Sequence, residues 1–167
     1  IDPTRILYLD NHGSTTALNL PRYRNEDGHR FGVLRVPPRA ASQVYEVVEA
    51  VRTAHAEGRT PFDAIVIDDA SELDAAAVDQ RGDSTSDGWE FWQEHLASNR
   101  NMMRDASPEE TGAHIICIAR AGRLPDPMAK RDRRSKEDTR PKVIRPNLSG
   151  KFGEWIGHFF DFEIWCE

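Results

Sequence analysis

The chain has 167 residues, 38% of them hydrophobic and 30% charged, with a formal net charge of −6. That length suits one domain, residues 1–167, with a real core and a rather polar, soluble surface. No apolar run approaches membrane-spanning length, no secretory signal precedes Arg5, and Cys117 and Cys166 have neither disulfide nor metal-site spacing. Membrane-spanning and disulfide-stapled classes are therefore excluded, and a reducing, cytoplasmic setting is expected.

In chain order, Arg5 to Asp10 is a short apolar run ending in a carboxylate, read as a parallel strand. The stretch from Asn11 to about residue 30 is turn-rich and mostly irregular, and Gly32 to Val36 reads as a second strand stopped by Pro37 and Pro38. From Ser42 to Glu57, Val44, Val47, Val48, Val51 and Ala54 recur at helical spacing. Ser42 is the expected N-cap and Gly58 the expected stop.

Phe62-Asp63-Ala64-Ile65-Val66-Ile67-Asp68-Asp69 is the stretch around which the rest is organised. An apolar run of this kind reads as a strand buried on both faces, in the middle of a parallel sheet. In open α/β sheets ligands bind beyond the carboxyl ends of the strands, so Asp68 and Asp69 stand where a metal or phosphate is expected. Two acids that simply end a core strand in solvent are the bland counterpart.

The segment Asp74 to Ser86 is acidic, alanine-rich and ambiguous. Asp87 and Glu90 have capping-box spacing before Trp89, Trp92, Leu96 and Met103, which share one helical face and are read as core. Gly112 to Ala119 reads as the next buried strand. Residues 120–145 then hold ten Lys/Arg against four acids and three prolines, which reads as a basic flexible loop. A short helix near Gly150 to His158 and a strand from Phe160 to Trp165 close the chain. Strands alternating with helices imply an α/β fold with a mostly parallel, three-layer sheet, without hairpin pairing between sequence neighbours.

Phe62 to Asp68 followed by Ser71-Glu72-Leu73 resembles the Walker B region of the RecA-like P-loop NTPase core, most of all that of the phage Sak-type single-strand annealing proteins. Leu7 to Asp10 resembles the strand after the P-loop helix of that family, and Gly112 to Ala119 its sensor strand. Pro146-Asn147-Leu148-Ser149-Gly150-Lys151 with Phe160-Asp161 resembles its closing segment. The resemblance implies an ATP-binding protein of DNA recombination that uses ATP and Mg²⁺, acts on single-stranded DNA and is compatible with a homo-oligomer. If phage-encoded, it would work in the cytoplasm of a bacterial host.

The resemblance gives Asp68 the Mg²⁺. It sets Asp69 beside it as a second acid, and Asp10 at the nucleotide edge. It puts His12 where the family has its catalytic glutamate, and an imidazole lacks a carboxylate's charge for activating water. It also assigns Lys130, Arg131, Arg133, Arg134 and Lys136 to the DNA backbone. No Gly-x-x-x-x-Gly-Lys-Ser/Thr loop occurs in the chain, since Lys151 is followed by Phe152 and Arg145 stands at the first glycine position. The family carries that loop just upstream of the strand that begins here at Arg5. The expectation is thus an N-terminally truncated core that binds nucleotide weakly or not at all by itself.

Two other classes remain open. Asp10-Asn11-His12, Asp68, Gly88-Trp89-Glu90-Phe91 and Arg145-Pro146 also resemble a degenerate response-regulator receiver domain, with Asp68 as phospho-acceptor, Asp10 as metal ligand and Arg145 replacing a lysine. A non-catalytic α/β scaffold is the third.

Overall fold

The computed structural model describes residues 3–11, 32–34, 41–80, 88–126, 128–131, 138–148 and 152–160. Four strands form a parallel sheet in the order β2-β1-β3-β4: β1 (Ile6–Asp10), β2 (Gly32–Leu34), β3 (Ala64–Asp68) and β4 (His114–Ile118). The helices are α1 (Ala41–Ala56), α2 (Ala70–Gln80), α3 (Gly88–Asp105), α4 (Pro108–Thr111) and α5 (Phe152–Trp155). Turns of 3₁₀ helix cover Pro3–Arg5 and Ile156–Phe159. The architecture is α/β.

β3 is interior, flanked by β1 and β4, and its burial follows from that place. Ala64, Ile65, Val66 and Ile67 are all buried, so the run is apolar on both faces as the sequence requires. Strand registers put Leu7, Ile65 and Ile115 on one level and Leu9, Ile67 and Cys117 on another, all facing the same side. Val44, Val48 and Val51 of α1, Leu73 of α2, Met103 of α3 and Phe152 of α5 close over that face as one core. The opposite face carries Tyr8, Val66 and Ile116 on one level and Asp10, Asp68 and Ile118 on the next.

α1 ends as expected. Gly58 has φ +77°, its N–H donates to His55 O at 2.8 Å, and the Arg59 N–H reaches Ala54 O at 2.9 Å, the pair of bonds that closes a helix through a left-handed glycine. Its start differs: α1 already includes Ala41, so Ser42 lies inside the first turn and not at the cap.

The ambiguous stretch after Leu73 continues, as far as Gln80, a helix that begins at Ala70, and 81–86 lie outside the described residues. β4 is not the fully buried strand expected. Ile116 and Ile118 are exposed while Ile115 and Cys117 face the core, because β4 stands at one end of the described strand order and is covered on one side.

Trp92 is likewise exposed. The stripe α3 turns inward is His95, Asn99 and Met103 with Leu96 and Met102 beside it, rotated from the apolar pattern because the two polar residues meet the buried Asp74 carboxylate of α2 inside. The side chain of Trp89, and all of Asp87, lie outside the described residues.

The basic segment is not simply a loop. β5 (Ala121–Pro125) and β6 (Lys142–Pro146) pair antiparallel as a separate two-stranded ribbon. Asp126 N–H to Pro141 O at 2.8 Å and Asn147 N–H to Arg120 O at 2.7 Å extend the ladder at both ends. Backbone pairing is indifferent to the charge of side chains that stay in solvent, as Arg123 and Lys142 do, so a hydrophobicity pattern misses it. This is also a hairpin between sequence neighbours, contrary to expectation. Of the closing strand, Phe160 is irregular and 161–165 lie outside the described residues.

Candidate functional site

The strand order fixes where a site belongs. From β1 the chain passes outward to β2, then returns across β1 to β3 and β4, so the order reverses between β1 and β3. At such a switch point adjacent loops leave in opposite directions and open a crevice at the carboxyl ends of the strands. Asp10 and Asp68 are register partners at those ends. Asp10 is fully buried and Asp68 half-buried.

The edge is assembled by hydrogen bonds between the two strand ends. The Asn11 N–H donates to Asp68 O at 2.9 Å and Asn11 Nδ2 to Asp69 O at 3.1 Å, while the Asp69 N–H donates back to Asn11 Oδ1. Asn11 is buried and clamps both peptide groups that carry the acids. Tyr8 lies two residues before Asp10 on the same face, and its hydroxyl donates to Asp68 Oδ2 at 2.9 Å, which orients that carboxylate.

Asp69 points elsewhere. Its Oδ1 accepts the Ser71 N–H at 2.7 Å at the start of α2, and the Leu73 N–H reaches Asp69 O at 3.2 Å, the geometry of an N-cap. Its Oδ2 accepts Arg120 Nε at 3.0 Å, and Arg120 also pairs with Glu72. The Arg120 N–H donates to Ser71 Oγ at 3.0 Å. Arg120 thus leaves the end of β4, crosses to the start of α2 and balances part of the negative charge there.

Asp69 also raises the neighbouring Cys117 thiol. Burial first, and then the Asp69 charge, push it up to about 12. Cys117 is therefore a protonated core residue at neutral pH.

The structure places Asp10 and Asp68 side by side at the sheet edge and Asp69 at the cap of α2, a part that the sequence did not indicate. His12, Arg133, Arg134 and Lys136 lie outside the described residues. Lys130 and Arg131 are exposed on the connection between β5 and β6. Tyr8 and Arg120 have no role in the sequence reading, and Asn11 enters it only within the Asp10-Asn11-His12 string of the receiver resemblance. Asn11 carried a signal in the Asp10-Asn11 pair after a strand, whereas Arg120 was one of ten similar cations. A second polar group went unread altogether: Asp74, His95 and Asn99 are all buried, and their 21- and 25-residue separations leave no local trace.

Among the described residues no group of three or more His, Cys, Asp or Glu is arranged to hold a metal ion. Mg²⁺ bound with phosphates takes one or two protein carboxylates and fills its remaining positions with phosphate oxygen and water, so a hard oxygen donor such as Asp68 fits it. Among the described residues no helix is long and apolar enough to cross a membrane. No protein-family model matches the chain, and no curated protein matches it.

Proposed function

We propose that the β1/β3 edge binds a phosphate-bearing ligand together with Mg²⁺, in the manner of the RecA-like ATP-binding core of phage single-strand annealing proteins. The observation that carries this reading is the register pairing of Asp10 with Asp68 at the carboxyl ends of the switch-point strands. In this reading Asp68 holds the metal, which when bound offsets the charge developing on the phosphates. Tyr8 fixes the orientation of Asp68, Asn11 holds the two strand ends together, and Arg120 balances Asp69 and Glu72 at the head of α2. A RecA-like core with helices on both sheet faces belongs to the same proposal, as does assembly into a homo-oligomer.

The basic residues around the ribbon are the proposed contact for single-stranded DNA. Arg123, Lys130, Arg131 and Lys142 are exposed in a chain of net charge −6. Binding of this kind neutralises phosphates without reading bases, so its logarithm falls with the logarithm of salt by roughly 0.7 per phosphate contacted. Fluorescence anisotropy with a labelled oligonucleotide at two salt concentrations tests it. Charge reversal at Lys130 and Arg131 should lower affinity far more than reversal at Arg52 and Arg59. Equal effects, or binding that ignores salt, remove DNA from the reading.

The nucleotide half needs a Gly-x-x-x-x-Gly-Lys-Ser/Thr loop, which residues 1–167 do not contain. Its test is the coding sequence preceding Ile1, followed by Mg²⁺-dependent ATP binding by the longer chain and by its Asp68→Ala variant. A longer chain with no such loop, or one whose ATP binding and turnover survive Asp68→Ala, ends this assignment.

A second reading has its own observation. The order β2-β1-β3-β4 reproduces the first four strands of the flavodoxin-like order 2-1-3-4-5. A receiver domain would use Asp68 as phospho-acceptor at this same edge. Arg145 argues against it, because it lies in β6 opposite Gly122 of an antiparallel ribbon and not at the end of a fifth parallel strand. Beryllofluoride or acetyl phosphate acting on the chain at Asp68, seen by mass spectrometry or NMR, would favour the receiver. A chain that takes none of Mg²⁺, nucleotide, DNA or phosphoryl donor is a scaffold.

A further inference from the structure

The β5/β6 ribbon has one open face. Cross-strand partners share a side, so Arg123 and Ile144 stand together, with Lys142 two residues from Ile144 along β6. All three are exposed, Ile144 by 60%. The other face holds Gly122, Leu124, Val143 and Arg145, of which Val143 is the most open at 37%.

The charges of the open face are not used up within the protein. Arg5, Arg52, Arg59, Arg120 and Arg140 each pair with a carboxylate. The side chains of Arg123 and Lys142 make no hydrogen bond or ion pair among the described residues. Two such cations on a chain of net charge −6 suit an anion from outside. Neutralising phosphates needs no apolar group, so the open isoleucine between the two cations is a separate feature.

A single strand offers both chemistries in alternation, phosphates and bases whose flat faces are open. A duplex stacks those faces on one another and shows only base edges in its grooves. We propose that Ile144 packs against the face of an unpaired base while Arg123 and Lys142 hold phosphates on either side, which makes Ile144 the residue that distinguishes single-stranded from double-stranded DNA. This rests on the reading of the basic ribbon as the DNA contact and adds to it the group that senses the state of the strand. Every base has such a face, so the contact tolerates any sequence. An anionic membrane is served differently, by apolar residues grouped together and sunk about 5–10 Å into the acyl boundary. Here the isoleucine has a cation directly across from it and another beside it on its own strand, at the same height.

Fluorescence anisotropy with the full chain compares a labelled single strand, its duplex, and an abasic strand with the same number of phosphates. The single strand should bind about tenfold more tightly than the abasic strand at equal salt, the effect of burying much of one aliphatic side chain. Ile144→Asn should lose that tenfold for the single strand, leave the abasic strand and the duplex within about twofold, and keep the salt slope. Arg123→Ala should weaken all three and lower the slope by roughly 0.7–0.9. Ile144→Phe should bind the single strand about threefold more tightly, since an aromatic ring stacks on a base, and a misfolded chain cannot produce a gain. Equal affinity for the abasic and base-bearing strands, or an Ile144→Asn chain that weakens the duplex as much as the single strand, overturns the base contact and leaves the phosphate contact standing. Failure of every oligonucleotide to bind ends both. Phosphatidylglycerol vesicles that sediment the chain through Ile144, while no strand is bound, assign the face to a lipid surface and likewise overturn the proposal.

Discussion

Asp69→Ala separates the structural acid of the Asp-Asp pair from the chemical one. The substitution removes two things at once. The N-cap acceptor for Ser71 N–H at 2.7 Å is lost, and such caps contribute about 1 kcal/mol, within a range of roughly 0.5–2. The pair with Arg120 at 3.0 Å is also lost. Asp69 is buried but Arg120 is half-exposed and keeps Glu72, so solvent screening holds that part to about 0.5–1 kcal/mol.

The expected loss is therefore about 1–3 kcal/mol. At roughly 2–4 °C per kcal/mol for a chain of this size, the melting temperature should fall by about 2–12 °C. Asp69→Asn keeps a cap acceptor of equal quality and should lose only the charge part, about 0.5–1 kcal/mol. Urea denaturation followed by circular dichroism reads both as midpoint shifts at constant slope. An Asp69→Ala chain within ~0.5 kcal/mol of wild type, or an Asp69→Asn chain as unstable as Asp69→Ala, would refute the capping argument. Asp68→Ala in the same series should change stability by less than Asp69→Ala, since Asp68 is half-buried and its Tyr8 bond is replaceable by water.

Gly112→Ala should cost about 1–3 kcal/mol in urea melts: φ is +68° and a Cβ there would sit 2.6 Å from His55 Nδ1. Gly58→Ala, with φ +77° and nothing within 4 Å of its Cβ, should cost about 1 kcal/mol. Cys117 gives a pH dependence of definite sign. Its folded value is raised from 9.0 to about 12, so the unfolded chain releases the proton first as pH rises. The stability it contributes is complete below pH 9.0 and is lost progressively through about 12, at no more than ~1.4 kcal/mol per pH unit. In a Cys166→Ser background this should appear as a base-side fall in stability absent from Cys117→Ala, with Ellman's reagent reacting only on unfolding. Arg140→Ala should return the Asp138 carboxyl from about 2 toward 3.8 in an NMR titration, because the guanidinium holds it down through hydrogen bonds at 2.7–3.2 Å.

What the sequence determined by itself is local. The run Ala64 to Ile67 is apolar at every position, and only an interior parallel strand buries both faces of such a run, so the centre of the sheet and the acids at its end were legible. The valine stripe of α1 and its Gly58 stop were legible for the same reason, since spacing and backbone freedom are properties of neighbouring residues. The tertiary structure alone decided which acid does what. Asp68 and Asp69 are adjacent and chemically identical, yet alternation and the turn into α2 send one to the switch-point face and the other to cap a helix against Arg120. It also decided that His95 and Asn99 go inside in place of Trp92, because burying a polar side chain depends on a partner, and theirs is Asp74 on another helix. Satisfaction across elements is set by where the backbone brings two distant residues, and no window along a single chain contains it.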